Sequence, residues 1–488
     1  MTDLRDTAPR GARPSRRDVL AGGGFLAAAA GLSLLASGGR AQAAPRPHIL
    51  YILADDLGFA DLGFQGSDIA TPTLDRLAAE GARLRDFYVQ PMCTPTRAAL
   101  MTGRYPLRYG LQTGVIPSGA RYGLATDEFP LPLALGEAGY RTALVGKWHL
   151  GHADRAYWPR RRGFDSFYGP LVGEIDHFQH TAHGVTDWYR DDAPLEEPGY
   201  DTELFGAEAA RVIGAHDPDT PLFLYLAFTA PHTPYQAPRS YLDRYAHVAD
   251  PARRAYAAMI TAMDTAIGGV IAALEARGMR ENTLVLFHSD NGGTRDAMFA
   301  GEGAVSGALP PSNAPLRAGK GTLYEGGTRV VALANWPGRI PPGDVEGVMH
   351  VVDMLPTLAG FAGASLERSK PLDGQDMRPM LTAGGAGRSG IVYNVEPTQG
   401  AVRAGDWKLV WHATLPPRVE LFDLATDPDE TTDLAGKYPD KVAELQREIV
   451  DLARAMEPPL FYEAALSLTL SAPLSTPGPA DPGLGGND

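Results

Sequence analysis

The chain has 488 residues, 44% hydrophobic and 21% charged, which is ordinary for a soluble enzyme long enough to bury a large core and to form more than one domain. A formal net charge of −14 excludes a general nucleic-acid-binding surface and obliges any site for an anionic substrate to carry its own local cations. One cysteine, Cys93, excludes an internal disulfide framework.

Residues 1–43 read as a targeting segment. Ser15-Arg16-Arg17-Asp18-Val19-Leu20 has twin-arginine form, an apolar stretch covers 19–35, and Ala41-Gln42-Ala43 supplies a small-x-small cleavage pattern. A membrane anchor is the alternative, but Gly22, Gly23, Gly24 and the many alanines make the stretch weakly apolar beside the ~20 strongly apolar residues a span prefers. No later run approaches that length. The expectation is export by the twin-arginine translocase to the periplasm or the medium, with no stable membrane span in the mature protein.

Residues 49–54 form a continuous apolar run, read as a strand buried on both faces, and it ends in Asp55 and Asp56. Open α/β sheets place ligands at such strand ends, although a helix cap or a solvated turn explains the pair alone equally well. Thr71 as a cap, Pro72, an apolar face of Leu74, Leu77 and Ala78, and Gly81 as a stop spell a short helix. In Cys93-Thr94-Pro95-Thr96-Arg97, Thr94 is expected to cap a helix and Pro95 to occupy its first turn. Cys93 then sits at a helix N-terminus, which favours a thiolate or a bound oxyanion; a lone cysteine is otherwise a small buried hydrophobe.

Residues 133–139 read as another short helix, and 142–145 as a second core strand that delivers Gly146-Lys147-Trp148-His149-Leu150-Gly151. In extended backbone Lys147 and His149 point the same way, a pairing suited to anion binding and proton transfer. Residues 155–200 are aromatic, charged and aperiodic, and read as a lid or substrate-facing loop. His177, His180 and His183 within it invite a metal reading, but their spacing is not a standard zinc pattern.

A third buried strand, 222–228, leads into Pro231-His232-Thr233-Pro234. The longest helix starts at Asp250-Pro251, carries a core stripe from Tyr256 to Leu274 and closes at Gly278. A fourth strand, 283–288, ends in Ser289-Asp290-Asn291-Gly292-Gly293; a loop over 302–311, Asn313-Ala314-Pro315-Leu316-Arg317-Ala318-Gly319-Lys320, Tyr324-Glu325-Gly326-Gly327-Thr328-Arg329 and a strand-like 330–333 follow. Beyond a glycine-rich linker near 383–387, residues 388–456 read as a small α+β subdomain of short strands, a turn capped at Asp427 and a helix with Val442, Leu445, Ile449 and Leu452 on one face. Residues 471–488, rich in proline and glycine, read as a disordered tail. The organisation expected is therefore a signal at 1–43, a catalytic domain at 44–382, the subdomain at 388–456 and the tail. The fold class is α/β, a large mostly parallel sheet flanked by helices with a small C-terminal α+β subdomain.

Four strand ends thus deliver Asp55 and Asp56, Lys147 and His149, His232, and Asp290 and Asn291. In a mostly parallel sheet these ends open on one edge, so they are expected to share a site. Three carboxylates and an amide are an all-oxygen donor set, suited to Ca²⁺ or Mg²⁺ rather than zinc.

Together with C-T-P-T-R followed by T-G-R, the strings A-D-D-L-G, G-K-W-H-L-G, A-P-H-T-P, S-D-N-G-G and N-A-P-L-R-A-G-K with Y-E-G-G resemble, in order, the sulfatase family of the alkaline-phosphatase superfamily, especially the branch of N-acetylgalactosamine-4-sulfatase (arylsulfatase B). The resemblance implies an alkaline-phosphatase-like fold and hydrolysis of an aryl, sugar or polysaccharide sulfate ester. It implies that a formylglycine-generating enzyme oxidises Cys93 to formylglycine, whose hydrate attacks sulfur, expels an alcohol and then ejects sulfate with its second hydroxyl. By position, Asp55, Asp56, Asp290, Asn291 and the modified Cys93 would hold one divalent cation, Ca²⁺ ahead of Mg²⁺. Arg97 would steady the hydrate, His149 would act on it as base, and Lys147, His232 and Lys320 would bind the sulfate and leaving oxygens.

Thr96 stands where the family usually has serine, which bears on how completely Cys93 is modified. The alternatives are a phosphonate or phosphodiester hydrolase of the same superfamily, a cysteine hydrolase using a Cys93 thiolate, and a non-catalytic binder of sulfated glycans.

Overall fold

Successive residues of the strand His48–Ala54 point to opposite faces of a sheet, and both faces are covered: every residue of the strand is buried. Tyr51 and Leu53 join a core with Leu100, Leu135 and Leu355 on one side, while Leu50 and Ile52 join Leu74, Phe205 and Ile260 on the other. That double burial is why the run is continuously apolar rather than alternating. The computed structural model describes residues 46–299 and 309–471; the proposed signal, most of the 302–311 loop and all but the first residue of the proposed tail lie outside the described residues.

In chain order the strands are β1 (His48–Ala54), β2 (Ala82–Tyr88), β3 (Arg141–Gly146), β4 (Ser166–Gly169), β5 (Thr181–Ala182), β6 (Val185–Thr186), β7 (Tyr189–Arg190) and β8 (Ala193–Pro194). They continue with β9 (Leu222–Ala227), β10 (Thr283–Ser289), β11 (Ala332–Asn335) and β12 (Gly343–His350). Ten of them form one sheet in the order β12-β2-β11-β10-β1-β9-β3-β4-β7-β8. The centre, β10-β1-β9-β3-β4, is parallel, and β11 runs against its neighbours β10 and β2. Register levels the four decorated ends: Leu53 pairs with His288 and Ala227, and Ala227 with Gly146.

Four further strands, β13 (Gly390–Glu396), β14 (Gln399–Ala404), β15 (Trp407–His412) and β16 (Arg418–Asp423), make a small antiparallel sheet, covered by the helix Pro439–Arg454 through Leu445 and Ile449. A buried ion pair joins this sheet to the rest: Lys408 Nζ lies 2.9 Å from Glu325, and Glu430 of the same subdomain lies 2.7 Å from Lys408 and accepts from Glu325 N.

Several local expectations change. Thr94 is not the cap of the Cys93–Thr102 helix; the cap position is Met92, and Thr94 lies inside the first turn, donating to His149 O at 3.2 Å and accepting from Ile116 N at 3.1 Å. Asp250, by contrast, caps the helix Pro251–Ala276 by accepting from Arg253 N at 2.8 Å. That helix is the one among the described residues long and apolar enough to cross a membrane, contrary to the expectation that no later run would qualify, and most of it is buried in the core. The strand expected at 330–333 starts two residues later, at Ala332. Strands β2, β12 and β14 were not foreseen, because charged and small residues interrupt their apolar alternation.

Candidate active site

Backbone pairing continues past the strand ends and holds the functional loops level. Asp290 N donates to Ala54 O at 3.0 Å, Asp55 N to Ala230 O at 3.0 Å and Lys147 N to Ala227 O at 2.8 Å. The turn after β1 places Asp56 at φ 65°, a left-handed conformation uncommon outside glycine. His149 is left-handed too, at φ 58°, so the 147–149 backbone is not extended as the spacing argument assumed. Lys147 is fully buried against Asp55, whereas His149 lines the cavity over Cys93.

Every residue expected at the site is buried there: Asp55, Asp56, Cys93, Arg97, Lys147, His149, His232, Asp290, Asn291 and Lys320. Each carboxylate has a basic partner. Lys147 Nζ is 2.5 Å from Asp55 Oδ2, Lys320 Nζ is 2.8 Å from Asp56 Oδ2, and Arg97 Nη2 is 2.8 Å from Asp290 Oδ2. Three carboxylates against three cations leave the cluster near neutrality. The site thus carries the local cations that a chain of net charge −14 needs for an anionic ligand.

The two imidazoles are fixed by carbonyl groups, which can only accept. His149 Nε2 lies 3.2 Å from Ile116 O and must donate, leaving Nδ1 as a buried lone pair without a partner among the described residues. Burial, then the charges of Lys147 and Arg97, push the His149 pKa well below the ordinary imidazole value. His232 Nδ1 donates to Thr233 O at 2.8 Å, so Nε2 accepts from Lys320 Nζ at 3.1 Å. Burial and the Lys320 charge push His232 down to about 4. Burial opposes the ionisation of Asp56, yet Lys320 and His232 hold its pKa well below the usual carboxylate range.

Cys93 is no thiolate. Burial first, and then the Asp290 carboxylate, push its pKa well up. Its Sγ lies 3.4 Å from both Asp55 Oδ1 and Asn291 Oδ1, two acceptors for one S–H hydrogen. A second acceptor is therefore aimed at the sulfur without a hydrogen to receive, as expected of oxygens that ligate a cation beside the nucleophile. Asp55, Asp56, Cys93 and His232 each offer a ligand atom within 4.8 Å of one another. Asn291 Nδ2 donates to Asp56 Oδ1 at 2.8 Å, turning its Oδ1 to the same side as Asp55 Oδ1. With His232 Nε2 taken by Lys320, the oxygens of Asp55, Asp56 and Asn291 are the donors that fit a hard divalent cation. The three loop histidines do not form a second metal site: His177 pairs with Asp201, His180 stacks on Trp188 and His183 contacts Ser118.

A cavity of about 490 Å³ opens over Cys93, His149, His232 and Lys320. Glu174, Asp176 and residues 181–184 of the 155–200 loop line it, together with Ile116 and Ser118. Sequence reasoning missed three contributors. Thr294 donates to Asp56 Oδ2 at 2.8 Å, and it directly follows the S-D-N-G-G string that could have flagged it. Asn313 bridges Gly293 and Ala318, tying the Lys320 loop to the end of β10; it opens N-A-P-L-R-A-G-K. The Ile116 carbonyl that sets the His149 tautomer had no sequence signal, because any residue supplies a carbonyl.

The sequence profile of the Sulfatase family matches residues 47–364. Mouse (Mus musculus) arylsulfatase J is 35% identical over 85% of this chain and 77% of its own. Bovine (Bos taurus) arylsulfatase A is 36% identical over 87% of this chain and 90% of its own. Among solved structures, Ps i-CgsB in complex with k-i-k-neocarrahexaose superposes with a TM-score of 0.76 at 32% identity, covering 85% of this chain and 94% of that one. With the fold, the buried cluster and these similarities agreeing, the chain belongs to the sulfatase family of the alkaline-phosphatase superfamily and is a sulfatase, an enzyme that hydrolyses sulfate esters.

Proposed function

We propose that this sulfatase acts through a formylglycine made from Cys93 by a formylglycine-generating enzyme, beside one divalent cation held by Asp55, Asp56, Asp290, Asn291 and the modified residue. The family implies a metal ion and the formylglycine. Oxygen donors favour a hard cation, and carboxylates able to bind through one oxygen or two suit Ca²⁺ ahead of Mg²⁺. When bound, the cation neutralises the sulfate group and orients it. The hydrated aldehyde supplies two hydroxyls on one carbon, one to attack sulfur and one to release sulfate afterwards.

The chain's own residues do the remaining work. His149 Nδ1 is the base toward the nucleophile, its tautomer held by Ile116. Arg97, bonded to Asp290 and to Lys147 O at 3.0 Å, keeps a fixed positive charge beside residue 93. Lys320 and His232 line the cavity that would take the sulfate and leaving oxygens, with Lys147 behind them on Asp55. Lys320, its ammonium oriented by the hydrogen bond to His232 Nε2, is the donor that gives a proton to the departing alkoxide. The observation that carries this reading is the pair of acceptors at 3.4 Å from Cys93 Sγ, in a cavity shared with the unprotonated nitrogen of His149.

The substrate class is an aryl or carbohydrate sulfate; binding of a neocarrahexaose by a structural neighbour supports the carbohydrate option. The twin-arginine pattern of 15–20 supports export to the periplasm or the medium by the twin-arginine translocase. Mass spectrometry of the peptide spanning Cys93, from protein made in the native host, is the test: an aldehyde mass is expected, and an unmodified thiol throughout overturns the mechanism. Metal analysis and reactivation of chelated enzyme by Ca²⁺ or Mg²⁺ separate the cations. Turnover of a sulfate ester against a phosphonate ester on the same preparation separates this reading from the phosphonate-hydrolase alternative.

A further inference from the structure

One buried histidine takes no part in the reaction described above. His177 is 1% exposed, with Nδ1 2.8 Å from Asp201 Oδ2 and Nε2 3.1 Å from the carbonyl oxygen of His232. A carboxylate and a carbonyl can only accept, so both ring nitrogens carry hydrogen and the ring is an imidazolium. Burial opposes that charge, but Asp201 outweighs it and raises the His177 pKa. Asp201, itself fully buried, also accepts from Thr229 Oγ1 at 2.5 Å, and His232 N donates to Thr229 O at 3.0 Å. The hydrogen bonds therefore close a ring: Thr229, Asp201, His177, His232 and back to Thr229 through the turn. His177 N also donates to Gln236 Oε1 at 2.9 Å, so the turn is gripped on its far side too.

We infer that His177 and Asp201 are a positioning pair whose buried ion pair sets the backbone of His232, and with it the direction of the His232 ring toward Lys320. The inference rests on the reading above that His232 serves the leaving oxygen. At Nδ1 the His232 ring is anchored to the next residue, Thr233, through its carbonyl at 2.8 Å and its hydroxyl at 3.3 Å, so the ring follows the local backbone. Small displacements matter here, because proton delivery to a leaving group requires hydrogen-bond reach. An ester with a poor leaving group needs that delivery; an activated aryl ester such as p-nitrophenyl sulfate needs it far less.

The test compares p-nitrophenyl sulfate with an alkyl or sugar sulfate in His232→Ala, His177→Gln, Thr229→Val and Thr229→Ser, after melting curves confirm folding. His232→Ala should lose more activity on the poor leaving group than on the activated one. His177→Gln should follow the same pattern, with kcat on the poor leaving group down about 10- to 100-fold and p-nitrophenyl sulfate much less affected. Thr229→Val, which removes one hydrogen bond to Asp201, should show a weaker form of that pattern, and Thr229→Ser, which keeps the hydroxyl, should behave as the parent; these two decide the matter if His177→Gln does not fold. Equal losses on both substrates in His177→Gln and Thr229→Val, with the bias intact in His232→Ala, overturn the positioning pair alone. No bias in His232→Ala overturns the role of His232 and the inference with it.

Discussion

His149 donates its Nε2 hydrogen to Ile116 O at 3.2 Å, which leaves Nδ1 as the one basic nitrogen of the ring, buried and unpartnered among the described residues. Its depressed pKa keeps the ring neutral at neutral and mildly acid pH, where a base must be unprotonated. Activity is therefore retained as pH falls below the ordinary imidazole value and is lost only when pH passes the lowered one. The acid limb of kcat/KM should lie below about 6.5. His149→Ala should lower kcat by about 10²- to 10⁴-fold. An acid limb at or above the ordinary value would count against His149 as base.

Gly173 sets the space for that ring. A Cβ there would lie 2.2 Å from His149 Cε1 and 2.5 Å from Nε2, too close for any real contact. Gly173→Ala should displace the imidazole, which can swing, rather than the backbone. The melting temperature should stay near that of the parent while kcat falls by at least about tenfold, as for other misplaced catalytic groups. Unchanged kcat would show that the ring is not held where the hydrogen bond to Ile116 puts it.

Thr96, the departure from the usual serine, has both hydroxyl functions in use: it accepts from Gln90 N and donates to Gln90 O, each at 3.0 Å. Serine can make both bonds, so Thr96→Ser should melt close to the parent. Thr96→Val leaves two buried backbone groups unpaired and should cost about 1–3 kcal/mol, read by urea unfolding. The fraction of Cys93 converted, measured by mass spectrometry, should be at least as high in Thr96→Ser as in the parent.

Unmodified Cys93 should behave as a buried thiol. With its pKa well raised by burial and Asp290, iodoacetamide at pH 8 should label it slowly in the folded protein and rapidly in denaturant. Fast labelling of the folded protein would revive the thiolate nucleophile.

Asp187 supplies a stability test away from the reaction. Burial raises its pKa from 3.8 to about 6, although it accepts from Leu171 N and Val172 N. The folded chain keeps a proton that the unfolded chain has released between those values. The stabilisation is therefore full below about pH 4 and is lost as pH rises through about 6. Asp187→Asn should flatten this slope, so its stability relative to the parent should improve between pH 4 and pH 8 by up to about 3 kcal/mol. A constant difference across that range would contradict the shifted carboxyl.

The residues of the site were legible because the physics that marks them is local. A strand buried on both faces must be continuously apolar, so an acid or lysine immediately after it stands out, as Asp55, Lys147 and Asp290 do, and so does His232 a few residues past β9. Strand β2 was not legible, since its partners β11 and β12 lie far along the chain, and the two-residue strands β5–β8 are too short to show a hydrophobic period. The aperiodic 155–200 segment reads as a lid or substrate-facing loop, and residues 173–176 and 181–184 line the cavity.

From the sequence alone came the parallel α/β class and the four strand ends whose polar residues the fold gathers in one buried cluster, because side-chain chemistry and hydrophobic period are properties of short stretches. Only the tertiary structure decided which group faces which: Lys147 on Asp55, Lys320 between Asp56 and His232, and the ring closed by His177 and Asp201. It also decided the His149 tautomer, because the hydrogen-bond partner is a backbone carbonyl 33 residues away. A carbonyl is the same in every residue, so only folding can say which one a ring will meet.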